Sequence, residues 1–263
     1  MRTAHAAFSM SLEGDTSFVL LALPAEAYGS DDRISVTLDG TPVEWSIEPG
    51  AHDTRELTFT AGAGTLDVDI RSTLTHLQRP VDGGDPARYL EDSRYVEASA
   101  LRGFVDERFG RASGFEQIDA MRNWIARGFT YEPSLSEIDD SAATTLEKSG
   151  GMCRDYTHVM IGLARAAGIP ARYAGVYAPG LLPPDFHAVA EVYVDGDWWV
   201  VDATGLAPRG SLIRIATGAD ALETAWATTT GKPVRLRSLT VEAEDDGLPE
   251  GTVDDPRQRY RIL

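Results

Sequence analysis

The chain has 263 residues, of which 43% are hydrophobic, and carries a formal net charge of −17. With a sequence pI of about 4.6, such a surface repels phosphate, so neither nucleic acid nor an anionic membrane is expected as a partner. A single cysteine excludes an internal disulfide, no apolar run reaches spanning length, and the first residues lack the apolar core of a signal peptide, so a cytoplasmic protein with a reduced thiol is expected.

Residues 1–75 read as strands. Apolar and β-prone or alternating runs lie at 16–23, 33–38, 43–47, 55–59 and 66–70, separated by Gly, Pro and Asp. Short strands at that spacing predict a small antiparallel β-sandwich, assigned to residues 1–80. His5, His52 and His76 are scattered through it and read as surface or locally satisfied residues. The run 80–86, which holds Asp82, Gly83, Gly84 and Asp85 between two prolines, reads as the linker to a second domain over 87–263.

Two amphipathic helices are predicted next, over 98–109 (Leu101, Phe104, Val105, Phe109) and 115–127 (Ile118, Met121, Trp124, Ile125). Ser141 can cap a further helix through Lys148. It delivers the chain to Gly150-Gly151-Met152-Cys153, after which Val159, Met160, Leu163, Ala164 and Ala167 keep helical spacing until Gly168 and Pro170 stop it. Cys153 therefore belongs at a helix N-terminus, where unpaired backbone N–H groups favour a thiolate. Asp155 fits the first turn as a structural residue, and His158 reads as a packing or hydrogen-bonding residue.

A strand is expected over 171–177, then an irregular loop over 178–186 rich in proline, then two β-rich runs, 187–194 and 198–203, joined through Asp195-Gly196. That dipeptide predicts a two-residue type I′ turn, so Val194 opposes Asp197 and His187 becomes a diagonal neighbour of Asp202. An imidazole and a carboxylate on one face, with a helix-capping thiol elsewhere, form a Cys153-His187-Asp202 constellation. Of Trp198 and Trp199, which point to opposite faces, one is expected in the core and the other beside the cleft. A short helix over 219–228, a strand over 233–241 and a partly disordered tail from Glu242 complete the reading.

The motifs Gly151-Met152-Cys153-Arg154-Asp155-Tyr156, Ala171-Arg172-Tyr173, His187-Ala188 and Trp198-Trp199-Val200-Val201-Asp202-Ala203-Thr204, in this order, resemble the transglutaminase-like superfamily. Tyr89-Leu90-Glu91-Asp92-Ser93-Arg94-Tyr95 is similar to an element of its bacterial branch of cysteine proteases with an N-terminal β-rich region. The resemblance implies an α+β fold, an antiparallel sandwich followed by a papain-like or transglutaminase-like core of helices on an antiparallel sheet. It implies Cys153 as nucleophile, His187 as base and acid, and Asp202 as the group that orients His187. Where the family usually has Trp after His-Ala, this chain has Val189, which would alter the wall beside the histidine. Tyr131 and Asn123 are the candidates for a second oxyanion donor beside the Cys153 N–H. The activity expected is thiol-dependent acyl transfer on a peptide or protein substrate, with hydrolysis favoured over transamidation and an inactive binding module as the alternative. No calcium-loop pattern is present, so neither metal nor cofactor is expected.

Overall fold

A computed structural model describes residues 1–77, 84–249, 251–252, 254–255 and 257–262. The expected linker lies outside the described residues from 80 to 83.

The chain begins with a strand that the readings above do not isolate. Ala4, Ala6, Phe8, Met10 and Leu12 alternate with polar residues, and their side chains are buried along β1 (Arg2–Leu12). β2 (Thr16–Leu20), β3 (Tyr28–Leu38), β4 (Thr41–Pro42), β5 (Trp45–Pro49), β6 (Arg55–Ala61) and β7 (Gly64–Leu77) follow. β7 runs far beyond the expected 66–70 and pairs with both β1 and β3. His5 is satisfied between Asp69 and Glu242, and His52 Nε2 lies 2.6 Å from the Tyr89 hydroxyl. The side chain of His76 lies outside the described structure.

α1 (Ala98–Phe109) and α2 (Gly114–Gly128) bury the predicted apolar stripes. The two-residue β8 (Thr130–Tyr131) leads to α3 (Ala142–Lys148), capped as predicted: Ser141 N–H donates to Thr144 Oγ1 at 2.7 Å, and Thr144 N–H to Ser141 Oγ at 3.4 Å. β9 (Gly150–Gly151) then pairs in parallel with β8, and α4 (Cys153–Ala166) follows at once. From Asp155 to Arg165 every residue of α4 is buried. It packs on α1 and on a four-stranded antiparallel sheet ordered β12-β11-β10-β13, made by β10 (Ala171–Tyr177), β11 (Phe186–Val194), β12 (Asp197–Val201) and β13 (Ile213–Gly218). The architecture is α+β, helices on an antiparallel sheet behind an antiparallel sandwich.

The segment over 219–228 is not a helix. Asp220 Oδ1 accepts the Leu222 N–H at 2.9 Å and ties the chain into turns, and Thr228-Thr229-Thr230 favours the extended state of β14 (Ala227–Gly231). β14 joins β2, and β15 (Val234–Asp245) lies antiparallel to β1. The sandwich sheets are thus β15-β1-β7-β3-β4 and β14-β2-β6-β5. The tail after Glu242 is not loose at its described positions: β15 continues to Asp245, Val200 N–H donates to Tyr260 O at 2.9 Å, and Ile262 is buried.

Hydrogen bonds fix the sandwich on the second sheet. Tyr177 donates its hydroxyl to Ala22 O at 2.6 Å, and Ala25 N–H donates to Arg214 O at 2.9 Å. On the sheet face away from α4, buried Glu191 takes Arg172 Nε at 2.8 Å and Arg214 Nη2 at 2.6 Å, while Arg214 also donates to Ile262 O at 3.2 Å. Burial alone would raise the Glu191 carboxyl, but Arg214 and Arg172 hold it down at about 2. Among the described residues no helix is long and apolar enough to cross a membrane.

Candidate functional site

The thiol is placed by the glycine pair before it. A Cβ on Gly150 would lie 2.9 Å from Thr130 O, so β8 approaches β9 only because the side chain is missing. Gly151 has φ 149°, and a Cβ there would sit 2.5 Å from Asp155 Oδ2. That oxygen accepts the Met152 N–H at 2.8 Å and so closes the start of α4. The glycines thus admit neighbouring parts of their own chain. Asp155 is a structural residue, its other oxygen held by Arg154 Nη2 at 3.0 Å. Cys153, half-buried, occupies the first helical position.

The imidazole and the carboxylate are placed by the hairpin. Asp195 and Gly196 have φ 55° and 88°, as a type I′ turn requires, and Val194 pairs with Asp197. Ala190 pairs with Val201, which carries Asp202 to the diagonal of His187. His187 Nε2 and Asp202 Oδ2 are 2.9 Å apart, and both side chains are almost fully buried. Burial by itself would lower the His187 pKa, but the Asp202 charge and hydrogen bond, with the nearby Cys153, push it up to about 10. Burial would raise Asp202, and the His187 charge outweighs it and holds the carboxyl below its ordinary range. Thr204, quoted in the sequence only as part of a motif, donates its hydroxyl and its N–H to Asp202 Oδ1. Its position two residues beyond a carboxylate is the signal of such a local turn.

Cys153 and His187 line one cavity of about 560 Å³, together with residues of β10, the segment 221–227 and the sandwich. Asp202 stands behind His187. Tyr131, carried on β8 beside the glycine pair, has its phenol raised well above the usual range, first by burial and then by Cys153. Asn123 does not line this cavity, and its Oδ1 accepts from Arg122 Nη2 at 2.9 Å.

His158 is fully buried on α4, accepts the Ala221 N–H on Nε2 at 3.2 Å and stacks near Tyr95 and Tyr173. Burial pushes its pKa down to about 4, so it is neutral and packs as expected. Neither tryptophan of β12 reaches the cavity: Trp198 lies under the Arg172 guanidinium at 4.0 Å, and Trp199 packs on Phe115 with its Nε1 on Val194 O. Val189 is fully buried in the core with Val176 and Val200 and does not line the cavity.

A cysteine opening a buried helix, with a paired histidine and aspartate on the adjoining antiparallel strands, places this molecule among the transglutaminase-like folds. Residues 104–203 match the family described as the transglutaminase-like superfamily. The chain is similar over 97% of its length to a crystal structure titled a "putative cysteine protease" from Cytophaga hutchinsonii, with 26% identity, 94% of that chain covered and a TM-score of 0.84. It is 26% identical over 61% of its length to an uncharacterized protein of Mycobacterium leprae, covering 63% of that protein. It is 28% identical over 52% of its length to a protein-glutamine gamma-glutamyltransferase of Pseudomonas aeruginosa, covering 21% of it. The matches span less than two thirds of either curated relative.

Proposed function

We propose that the protein is a thiol-dependent hydrolase of peptide or carboxamide bonds, with Cys153, His187 and Asp202 as its catalytic residues. The observation that carries this reading is the buried His187–Asp202 pair at 2.9 Å whose imidazole opens onto the same cavity as Cys153. His187 takes the Cys153 thiol proton, the sulfur bonds to the substrate carbonyl carbon, the C–N bond breaks, and the amine leaves with that proton. Water then adds to the thioester, His187 takes its proton, and the acid departs as the thiol is restored. Asp202 keeps the imidazole oriented and supports its charge. The Cys153 N–H, at the start of α4, is the first oxyanion donor, and Tyr131 is the second, its hydroxyl being the polar group beside the thiol.

Transamidation is the second reading, favoured by the likeness to the Pseudomonas gamma-glutamyltransferase. In that case an amine rather than water resolves the thioester. Incubation with a peptide library, with and without a primary amine, followed by mass spectrometry, separates the two. Hydrolysis gives new carboxylic acids in both samples, and transfer gives amine adducts. No product in either, together with a thiol that iodoacetamide labels no faster than free cysteine, would return the protein to the role of a binding module.

A further inference from the structure

The cavity that Cys153 and His187 share is lined mainly by apolar groups. Tyr173 and Val176 come from β10, Phe186 from β11, and Trp226 from the segment that leads back to the sandwich. Phe186 and Trp226 stack at 5.7 Å, which makes that wall a fixed aromatic surface. Two further lining residues, Ile138 and Leu222, are 79% and 61% exposed. In a chain of net charge −17, large aliphatic side chains left in water beside a reactive thiol mark a contact surface.

The charged groups of the cavity are unequal. Arg154 is engaged by Asp155 Oδ1 at 3.0 Å and Ser136 Oγ at 3.1 Å. Asp185, two residues before His187, accepts the Phe186 N–H on Oδ1 at 2.7 Å, and among the described residues no cation pairs with it. Burial raises its carboxyl above the ordinary range, and the Phe186 N–H and the His187 charge offset this only in part. An acidic substrate group placed there would meet a second carboxylate in a poorly hydrated space.

We infer that this cavity binds a large apolar side chain, aromatic or branched aliphatic, of the acyl-donating peptide beside the carbonyl that Cys153 attacks, and that Asp185 turns away donors with an acidic residue there. This rests on the thiol acyl-transfer reading given above. The volume of about 560 Å³ lies in the range, roughly 300–1,000 Å³, of pockets that enclose a small organic ligand, so one large side chain and its neighbour fit.

The test uses peptidyl aminocoumarin amides identical except for Phe, Leu, Ser or Asp at the residue that supplies the scissile carbonyl. The expected kcat/KM is at least about tenfold higher for Phe and Leu than for Ser, and lowest for Asp. Ile138→Ser and Leu222→Ser, both at exposed positions, should narrow the Phe-to-Ser ratio at least about threefold, and Asp185→Asn should raise the Asp-to-Ser ratio. Iodoacetamide labelling of wild-type Cys153 is run beside them. Fast labelling with equal or inverted donor ratios overturns the cavity assignment alone. Labelling no faster than free cysteine, with no donor cleaved, overturns the acyl-transfer reading and the cavity assignment with it.

Discussion

Thr204 gives both of its donors to one oxygen of Asp202: its N–H at 2.8 Å and its hydroxyl at 2.6 Å both reach Oδ1, leaving Oδ2 to His187 at 2.9 Å. The carboxylate is held on both sides, and its direction toward the imidazole is fixed by a residue that never touches the cavity. Thr204→Val keeps the shape and the backbone bond but loses the hydroxyl. A hydrogen bond to a charged group contributes about 1.5–3 kcal/mol, so kcat should fall roughly 10- to 100-fold with little change in KM. Steady-state kinetics on any cleaved donor checks this, and a change confined to KM would remove Thr204 from the positioning role.

The pH dependence has a definite sign. The folded His187 pKa, about 10, lies above its ordinary value of 6.5, so the stability it contributes is complete below 6.5 and fades as pH rises through about 10. The Asp202 pKa is lowered from 3.8, so its contribution is present above 3.8 and is lost as pH falls through the depressed value. The stability gap between wild type and Asp202→Asn, measured by urea unfolding, should therefore be widest between about pH 4 and 6.5 and narrow on both sides. The alkaline limb of kcat/KM should lie near 10 in wild type and move down in Asp202→Asn. A limb that stays in place would mean that another group sets it.

Cys153→Ala should abolish turnover, a loss of at least about 10³-fold, because no other thiol is present to take over. Half-burial at the first position of α4 means that little packing is lost, and the melting temperature should stay within about 4 °C. Residual turnover above background would end the proposed mechanism.

Gly151→Ala should damage stability and chemistry together. The new methyl would meet Asp155 Oδ2 at 2.5 Å, in a backbone region with φ 149° that side chains avoid. The expected cost is about 1–3 kcal/mol in urea unfolding, with slower iodoacetamide labelling as the start of α4 shifts. A stability equal to wild type would show that the Asp155 cap yields without cost.

Glu191→Gln would leave two guanidinium groups, Arg172 and Arg214, buried without their shared counter-charge. Breaking a buried pair from one side costs about 3–5 kcal/mol, so this variant should be the least stable of those proposed. Denaturant unfolding compared with Glu191→Leu in an Arg172→Met, Arg214→Met background separates the lost charge from the lost packing.

Much of the site is legible in the sequence because its placement depends on local chemistry. Asp195-Gly196 sets the register of the hairpin, and the register alone brings His187 to the diagonal of Asp202. Gly168 and Pro170 end the cysteine helix, and Ser141 begins the one before it. Helix 98–109 is legible to the residue because Leu101, Val105 and Phe109 share one face. The parts that escape are those decided by distant partners. β1 reads weakly because small residues, Ala4 and Ala6, hold two of the five positions on its buried face. The stretch 219–228 offers apolar spacing for a helix, but Asp220 is drawn into capping Tyr95 and Leu222, and the threonines pair with β2. The acidic residues of the tail hide its packing, because its contacts run through Tyr260, Ile262 and the partners of Arg209 and Arg214.

β1 finds one of its two sheet neighbours more than 200 residues further along the chain: it lies between β7 and β15, with Arg2 beside Asp245. The layer built around β1 therefore cannot mature before β15 has been made, and one flank of β1 stays open until then. Long-range closure of this kind slows folding and leaves a sticky edge in nascent chains. Shortening the gene before β14 should accordingly yield insoluble material instead of a free-standing cysteine domain, and production will depend on chaperones that shield the open edge.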